Sequence, residues 1–507
     1  MNARHKVMAL AAVIVVPLLL FSLGVTGSYS QSVQPQLAPL NPAFVRYQEK
    51  VKAGTFQAYD LEGNPLGYIP PPMDMSHLKR IAALQAVPPP LGLPTSFDWR
   101  TSRGFNGVTP VKDQGACGSC WTFGNLGALE ARYRINDVAH HVIDLSENNM
   151  ASCHWPWLWT RCAGGNTWVA GSYLVGLYWY KPASISYPQQ KGAVSEASDP
   201  YSDSSHNDTL CGNTGTGRPN PLLRVNGFRW VANDKTQMKN AIFIESPITT
   251  AFYWDPAHYN PTTYVYYYPN CTEDTNHEVL LVGWDDNKAW PGSAGKGCWI
   301  VKNSWDTTWG NAGYFYIAYG SGKVGDDNLY YDYWRYRNPN ERLYVEDLPG
   351  MVDAAGTGAA TYAWGALVFT PVEAETLTHV EIYTTSPATS YIIYVYNTAT
   401  ESGSQATFSG LKGSQTGSCN EMGYYAIKLN SPLDLTAGKK YGVVVKFTTP
   451  SYYFPLPIAY VVAGVIADFF SKASGKTYAK FASGDPFSRV VIGPTTCAVS
   501  IRARTTK

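Results

Sequence analysis

After Ser119 the apolar positions Leu126, Leu129 and Tyr133 recur at intervals of three and four, which predicts a helix with one apolar face. Farther along the period changes. Val279-Leu280-Leu281-Val282 and Cys298-Trp299-Ile300-Val301 are short apolar runs around a turn rich in Gly and Pro, and they predict neighbouring buried strands. From about Arg342 onward, short strand-like runs are separated by Thr, Ser and Gly clusters. They are Val380-Glu381-Ile382-Tyr383, Tyr391-Ile392-Ile393-Tyr394-Val395-Tyr396, Gly442-Val443-Val444-Val445 and Val490-Val491-Ile492. Repeated short strands without helices predict an all-β sandwich. The expected class is α+β, a mixed unit followed by an all-β unit, with no sustained tandem repeat in either.

The N-terminal stretch reads differently. Arg4, His5 and Lys6 precede an apolar run from Val7 to Leu23, and small residues Gly24, Thr26, Gly27 and Ser28 follow, the order of a signal peptide over residues 1–27. The alternative is an uncleaved anchor, because the run approaches the length needed to span a bilayer. Residues 28–93 are polar and proline-rich. Pro70-Pro71-Pro72 and Pro88-Pro89-Pro90 bracket one amphipathic stretch from Met75 to Val87, too little for a core of its own. This part is a linker or an inhibitory propeptide. The later apolar run from Ile458 to Ala467 is bounded by prolines and Asp468, and fits a buried strand better than a membrane span.

Charge narrows the partners. Lys+Arg at 39 against Asp+Glu at 38 leaves no excess to hold a nucleic acid or an anionic membrane by electrostatics. Aromatic residues at 14% nearly match charged ones at 15%, which favours strands and half-wet aromatic surfaces over helical bundles. Nine cysteines in an exported chain imply disulfides with one thiol left over.

Cys120 opens the predicted helix, where the macrodipole and free backbone N–H groups favour a thiolate. Read alone, Cys117-Gly118-Ser119-Cys120 is a CxxC pair that is equally compatible with redox chemistry or half a zinc site. No second CxxC exists to complete a zinc knuckle, and no motif calls for a metal or another cofactor.

Three separated segments then agree. Phe97-Asp98-Trp99-Arg100, Val108-Thr109-Pro110-Val111-Lys112-Asp113-Gln114 and Cys117-Gly118-Ser119-Cys120-Trp121 form the first. Asn276-His277-Glu278-Val279 with Val282-Gly283-Trp284 forms the second, and Val301-Lys302-Asn303-Ser304-Trp305 with Trp309-Gly310 and Gly313-Tyr314 the third. In that order they resemble the papain family of cysteine peptidases over roughly residues 93–319. The resemblance implies a two-lobed catalytic domain at 94–340, a helical lobe and a β-barrel-like lobe, acting on protein or peptide substrates. It implies Cys120 as nucleophile, His277 as its proton partner, Asn303 as the orienter of the imidazole, and Gln114 as a donor to the oxyanion. Trp305 would shield the His–Asn bond or simply pack in the core. Gly164 and Gly165, in Cys162-Ala163-Gly164-Gly165, would let a substrate backbone pair with the enzyme; a tight turn is compatible with the same residues.

The same resemblance implies disulfides Cys117 to Cys162 and Cys153 to Cys211. Counting adds Cys419 with Cys497, alone in the C-terminal unit, and Cys271 with Cys298, which leaves Cys120 unpaired. Two departures from the family stay open. Glu278 stands where the family has a small residue, and its carboxylate either raises the imidazole pKa or points away. Trp155-Pro156-Trp157-Leu158-Trp159 is either an aromatic rim for substrate or a packing loop.

Residues 341–507 resemble, more loosely, the lectin-like sandwich of some prokaryotic papain-family peptidases, through Trp364-Gly365-Ala366-Leu367-Val368-Phe369 and Lys472-Ala473-Ser474-Gly475-Lys476-Thr477-Tyr478. Its tyrosines suit stacking on a carbohydrate or cell-surface polymer, or a structural cap. The expected product is a secreted or extracytoplasmic cysteine endopeptidase, with a transpeptidase as a variant chemistry. The competing class is an adhesion or carbohydrate-binding protein on a degenerate peptidase scaffold, against which the full set Gln114, Cys120, His277 and Asn303 argues.

Overall fold

The computed structural model describes residues 34–84, 92–176, 191–203, 219–293 and 295–507, so the expected signal peptide and Cys211 lie outside the described residues. The N-terminal segment begins with a two-residue strand β1 (Gln36–Leu37) and two helices, α1 (Pro42–Ala53) and α2 (Ser76–Leu84). Asn41 caps α1 by accepting the Ala43 N–H, Pro42 starts the first turn, and Gly54 ends it in a left-handed conformation with φ of 69°. The segment has no core of its own, as expected. Phe44, Leu66, Ile69, Met73, Leu78 and Ile81 are buried in the same apolar cluster as Trp121 and Leu280 farther along the chain.

The mixed unit holds α3 (Cys120–Asn136), α4 (Glu147–Ser152), α5 (Thr167–Leu174) and α6 (Lys235–Ile244). Its strands are β2 (Ser96–Asp98), β3 (Leu223–Val231), β4 (Ile248–Phe252), β5 (Tyr259–Asn260), β6 (Val265–Tyr266), β7 (His277–Ala289), β8 (Lys296–Lys302), β9 (Tyr314–Ala318) and β10 (Asp326–Tyr336). The two apolar runs of the sequence are β7 and β8, antiparallel with Leu281 opposite Val301. The helix after Ser119 buries more than one face. From Cys120 to Ala131 every residue is buried, because α3 is packed by β7 and β10 as well as by α4 and α5.

The all-β unit contributes β11 (Glu341–Tyr344), β12 (Asp353–Gly356), β13 (Tyr362–Phe369), β14 (Glu375–Tyr383), β15 (Thr389–Ser402), β16 (Gln405–Cys419), β17 (Gly423–Leu435) and β18 (Tyr441–Thr448). It continues with β19 (Leu456–Tyr460), β20 (Gly475–Lys480), β21 (Phe487–Ser488), β22 (Val490–Ile492), β23 (Thr495–Val499) and β24 (Ile501–Thr506). Strands β13, β18, β15, β16, β21 and β20 close a barrel, while β12, β19, β23 and β22 form a second sheet whose edge is extended by β1 of the N-terminal segment.

The two units share a sheet. In the order β11-β24-β14-β17-β3-β10-β4-β7-β8-β9-β6-β5, strand β17 pairs antiparallel with β3, with Tyr424 opposite Phe228. Across this junction Arg224 pairs with Glu381 at 2.6 Å, both side chains almost wholly buried. Burial alone would raise the Glu381 carboxyl, but Arg224 and Arg504 hold it down at about 2. The Trp155–Trp159 loop belongs to the same seam. Trp157 is buried and its Nε1 donates to Pro349 O at 3.2 Å, and the Leu158 N–H donates to Val465 O at 2.8 Å, so of the two readings of this loop packing is the one realised.

The cysteine arithmetic needs correction. Cys117 and Cys162 form a disulfide, and Cys153 is also disulfide-bonded. Cys271, Cys298, Cys419 and Cys497 are free thiols. Cys298 is inside the sheet opposite Asp285 and Ala318, whereas Cys271 is in a half-buried turn with its sulfur toward Glu273 O. Cys419 ends a barrel strand opposite Thr389, while Cys497 is held between Tyr460 and Val490 in the other sheet. Pairing by elimination ignored which sheet carries each residue, and Cys120 is not the sole free thiol.

Candidate active site

Cys120 is the first residue of α3, and Ser119 before it makes no side-chain cap bond, so the helix start is left to backbone N–H groups and the cysteine. The sulfur accepts the backbone N–H of Glu278 at 3.4 Å, which ties the start of α3 to the start of β7. His277, the first residue of β7, has Nε2 2.9 Å from Asn303 Oδ1, an N–H donating to the amide oxygen. Its Nδ1 is buried and has no hydrogen-bond partner among the described residues. Trp305 stacks on the imidazole at 4.7 Å and 25°, covering the His–Asn bond.

Gln114 is fully buried beside them. Its Oε1 accepts from Ser304 Oγ at 2.6 Å, and this fixes the amide so that Nε2 donates, to Cys117 O at 2.9 Å and to Pro65 O at 3.2 Å. Trp305 Nε1 donates to the same Pro65 carbonyl at 3.3 Å. Ser304 lies in the Asn303-Ser304-Trp305 segment, but only the fold reveals that it sets the orientation of Gln114.

Pro65 belongs to the N-terminal segment, which crosses the cleft as an extended chain. The Gly67 and Tyr68 N–H groups donate to Asn276 O at 3.2 and 3.1 Å, Gly165 N–H donates to Gly67 O at 2.9 Å, and Ile69 N–H donates to Gly165 O at 2.8 Å. Tyr68 is thereby bridged, in parallel, to Gly165. The glycines permit this closeness. A Cβ on Gly164, at φ of 110°, would lie 2.7 Å from Gly67 O, and one on Gly165 would lie 2.5 Å from the Trp121 ring. Gly164 and Gly165 thus lie along residues 67–69, Gly165 through its backbone hydrogen bonds and Gly164 through close approach.

The Tyr68 side chain fills a pocket against Cys120 and Ala251. Its hydroxyl donates to Asp327 Oδ2 at 3.3 Å, and Thr167 Oγ1 donates to Asp327 Oδ1 at 2.6 Å. Burial raises the Asp327 carboxyl to about 6. Neither Tyr68 nor Asp327 carries any local signal of this role, since they meet only through the fold.

Deep in the interior, Cys120 and His277 are both driven toward neutrality. Burial, then Glu278, push the Cys120 thiol upward, and burial lowers His277 to about 4 despite the raising effect of Asn303. Glu278 itself points away from the ring: its Oε1 accepts from Asn125 Nδ2 at 2.6 Å on α3.

Residues 93–330 match the family described as Papain family cysteine protease, and residues 343–505 match that described as Lectin like domain. Among curated proteins the chain is similar to pro-cathepsin H of Mus musculus, 34% identical over 239 residues that cover 46% of this chain and 62% of that one. Cathepsin K of Gallus gallus is 32% identical over 228 residues, 44% of this chain and 59% of the other. The chain thus spans less than two thirds of the length of these relatives. Among solved structures, the cysteine protease and lectin-like domains of Cwp84, a surface layer associated protein of Clostridium difficile, share the fold with a TM-score of 0.70 at 21% identity. That likeness covers 93% of this chain and 98% of the other.

Proposed function

Since the chain belongs to the papain family of cysteine peptidases over residues 93–330 and carries a lectin-like domain over residues 343–505, we propose that it is a secreted cysteine endopeptidase held inactive by residues 28–93. Cys120, as thiolate, attacks the scissile carbonyl. Gln114 Nε2 and the Cys120 backbone N–H receive the developing oxyanion, His277 delivers its proton to the leaving amine, and water releases the acyl-enzyme. Asn303 keeps the imidazole in the required orientation.

The observation that carries this reading is the course of residues 65–69. A polypeptide strand already occupies the cleft, hydrogen-bonded to Gly165 and with a peptide carbonyl on Gln114 Nε2, so the groove is built for backbone amides. The parallel bridge runs along Gly165, and the strand leaves the reactive atoms neutral, which fits an inhibitor better than a substrate. On this reading a substrate residue paired with Gly165 enters the Tyr68 pocket, whose Asp327 favours an aromatic side chain that ends in a hydroxyl. The surface-layer association of the Clostridium difficile protein and the N-terminal signal pattern support an extracytoplasmic location. Exposed Tyr362 and Tyr453 of the C-terminal unit suit a carbohydrate or cell-surface polymer as a second ligand class.

The test is labelling of processed protein by an epoxide thiol-trapping inhibitor beside cleavage of a protein substrate, with Cys120→Ser in parallel. Labelling of Cys120 and cleavage that both vanish in Cys120→Ser are expected. A processed wild type that is neither labelled nor active under reducing conditions would return the scaffold reading.

A further inference from the structure

Glu278 stands next to His277, yet strand alternation sends its side chain the other way, under the first turns of α3. It is buried, and Oε1 accepts from Asn125 Nδ2 at 2.6 Å. Asn125 Nδ2 also donates to Trp121 O at 2.8 Å, and Asn125 Oδ1 accepts from Tyr331 OH at 2.7 Å, so one carboxyl oxygen is locked to the nucleophile's helix. The fit is close. A Cβ on Gly124 would lie 3.4 Å from the Glu278 side chain.

The second carboxyl oxygen is different. Glu278 Oε2 is buried and has no partner among the described residues, and the same is true of Asn303 Nδ2 and of Glu147 Oε2. Glu278, Asn303, Glu147 and Lys302 all line one cavity of about 20 Å³ between α3 and the strands β7 and β8. That is room for one water, and a polar cavity of this size with several orphaned donors and acceptors is the kind that holds one.

The orphan on Asn303 matters because an asparagine amide has two ends of nearly equal shape. Only their partners distinguish them. With Oδ1 toward His277 the contact is N–H to oxygen; rotated by half a turn, Nδ2 would oppose the ring N–H, donor against donor. Something must accept from Nδ2 on the side away from the ring.

We propose that Glu278 is a positioning residue for the reactive set: one water in this cavity joins its Oε2 to Asn303 Nδ2 and holds the Asn303 amide with Oδ1 on His277. Through Oε1 the same side chain fixes that strand to the helix that begins at Cys120. The carboxyl thus sets the spacing of nucleophile and imidazole from behind, without touching substrate. This inference rests on the reading of Cys120, His277 and Asn303 given above.

Glu278→Leu fills the space with apolar atoms and removes both links, whereas Glu278→Gln keeps an acceptor for Asn125 and a polar end for the water. For Glu278→Leu, kcat on a peptide substrate is expected to fall about tenfold with KM unchanged, less than the ~100-fold that a misplacement near 1 Å can cost. Glu278→Gln should recover most of it. In an Asn303→Ala background Glu278→Leu should cost clearly less than it does alone, because the water's target is gone and only the link to Asn125 remains to be lost. If the leucine variant does not fold, Glu278→Met, which is flexible and similar in length, takes its place. An unchanged kcat in the folded apolar variant overturns the proposal, as do losses that simply multiply with Asn303→Ala. Both of these leave the peptidase reading intact, whereas a processed wild type unlabelled at Cys120 sinks the two together.

Discussion

A thiol cleaves an amide only as its thiolate, and a buried, water-excluded cleft opposes that charge. Burial raises Cys120 and depresses His277 to about 4, so on the proposed reading a segment that keeps water from the site opposes the thiolate electrostatically as well as sterically. On the proposed reading the Tyr68 pocket adds selectivity of a different kind. Asp327 is fixed by Thr167 and has an oxygen turned to a phenolic hydroxyl. A pocket built to bond a hydroxyl discriminates against the analogue without it, since its own buried group is left unpaired. Peptides with Tyr at the residue paired to Gly165 should therefore be cut roughly tenfold faster, in kcat/KM, than those with Phe, a buried hydrogen bond being worth ~1–1.5 kcal/mol. Asp327→Ala should bring the ratio near unity, and a ratio unchanged by that substitution would remove Asp327 from specificity.

At the scale of elements, the N-terminal segment is held by its buried apolar side chains and by several short anchors. β1 extends a sheet of the lectin-like unit, Arg46 of α1 pairs with Asp274 at 2.5 Å, and Gly67 lies so near the backbone of Gly118 that a Cβ would meet Gly118 O at 2.3 Å. Gly67→Val should lift the strand from the cleft. The expected result is epoxide labelling of Cys120 in the unprocessed chain, where the unaltered segment keeps it slow; equal labelling of the two would mean that this strand does not gate the site. Much of this architecture was legible beforehand. The α3 helix and the β7–β8 pair are written in local apolar runs, whereas the set Gln114, Cys120, His277 and Asn303 comes from the resemblance to a family. What escaped depends on residues far apart in sequence: Tyr68 with Asp327, Pro65 with Gln114, and the placements that keep Cys271, in a turn, from Cys298, in a strand, and Cys419 from Cys497 in another sheet. Counting cysteines carries no information on which strand faces which.

For the whole molecule, the junction between the two units behaves like the interior of one domain. Glu381, at about 2 in the folded protein against an ordinary value of 4.5, stabilises the folded state fully above pH 4.5, and that contribution is lost as pH falls toward 2. Removing the carboxylate leaves Arg224 buried without its partner, which costs about 3–5 kcal/mol. Glu381→Gln should thus lower Tm at pH 7 and flatten the fall of Tm between pH 4.5 and 2. A melting profile parallel to that of the wild type would show that the ion pair does not couple the seam to pH.

The pairing of β17 with β3 also bears on how the chain reaches its native state. Strand β3 lies at residues 223–231, but the strand that completes its edge arrives about two hundred residues later, and β24, near the very end, is needed to finish the same sheet. A nascent chain leaving its point of synthesis or export N-terminus first therefore presents an unfilled edge at β3 until residues 423–435 have emerged, and an incomplete sheet until residues 501–506 follow. Open edges of this sort recruit other strands. A chain stopped at residue 340 should accumulate as aggregates rather than as a soluble smaller enzyme, and supplying residues 341–507 in trans during refolding should rescue it. A monodisperse, thiol-reactive 28–340 fragment in size-exclusion chromatography would mean that the catalytic half closes its sheet unaided.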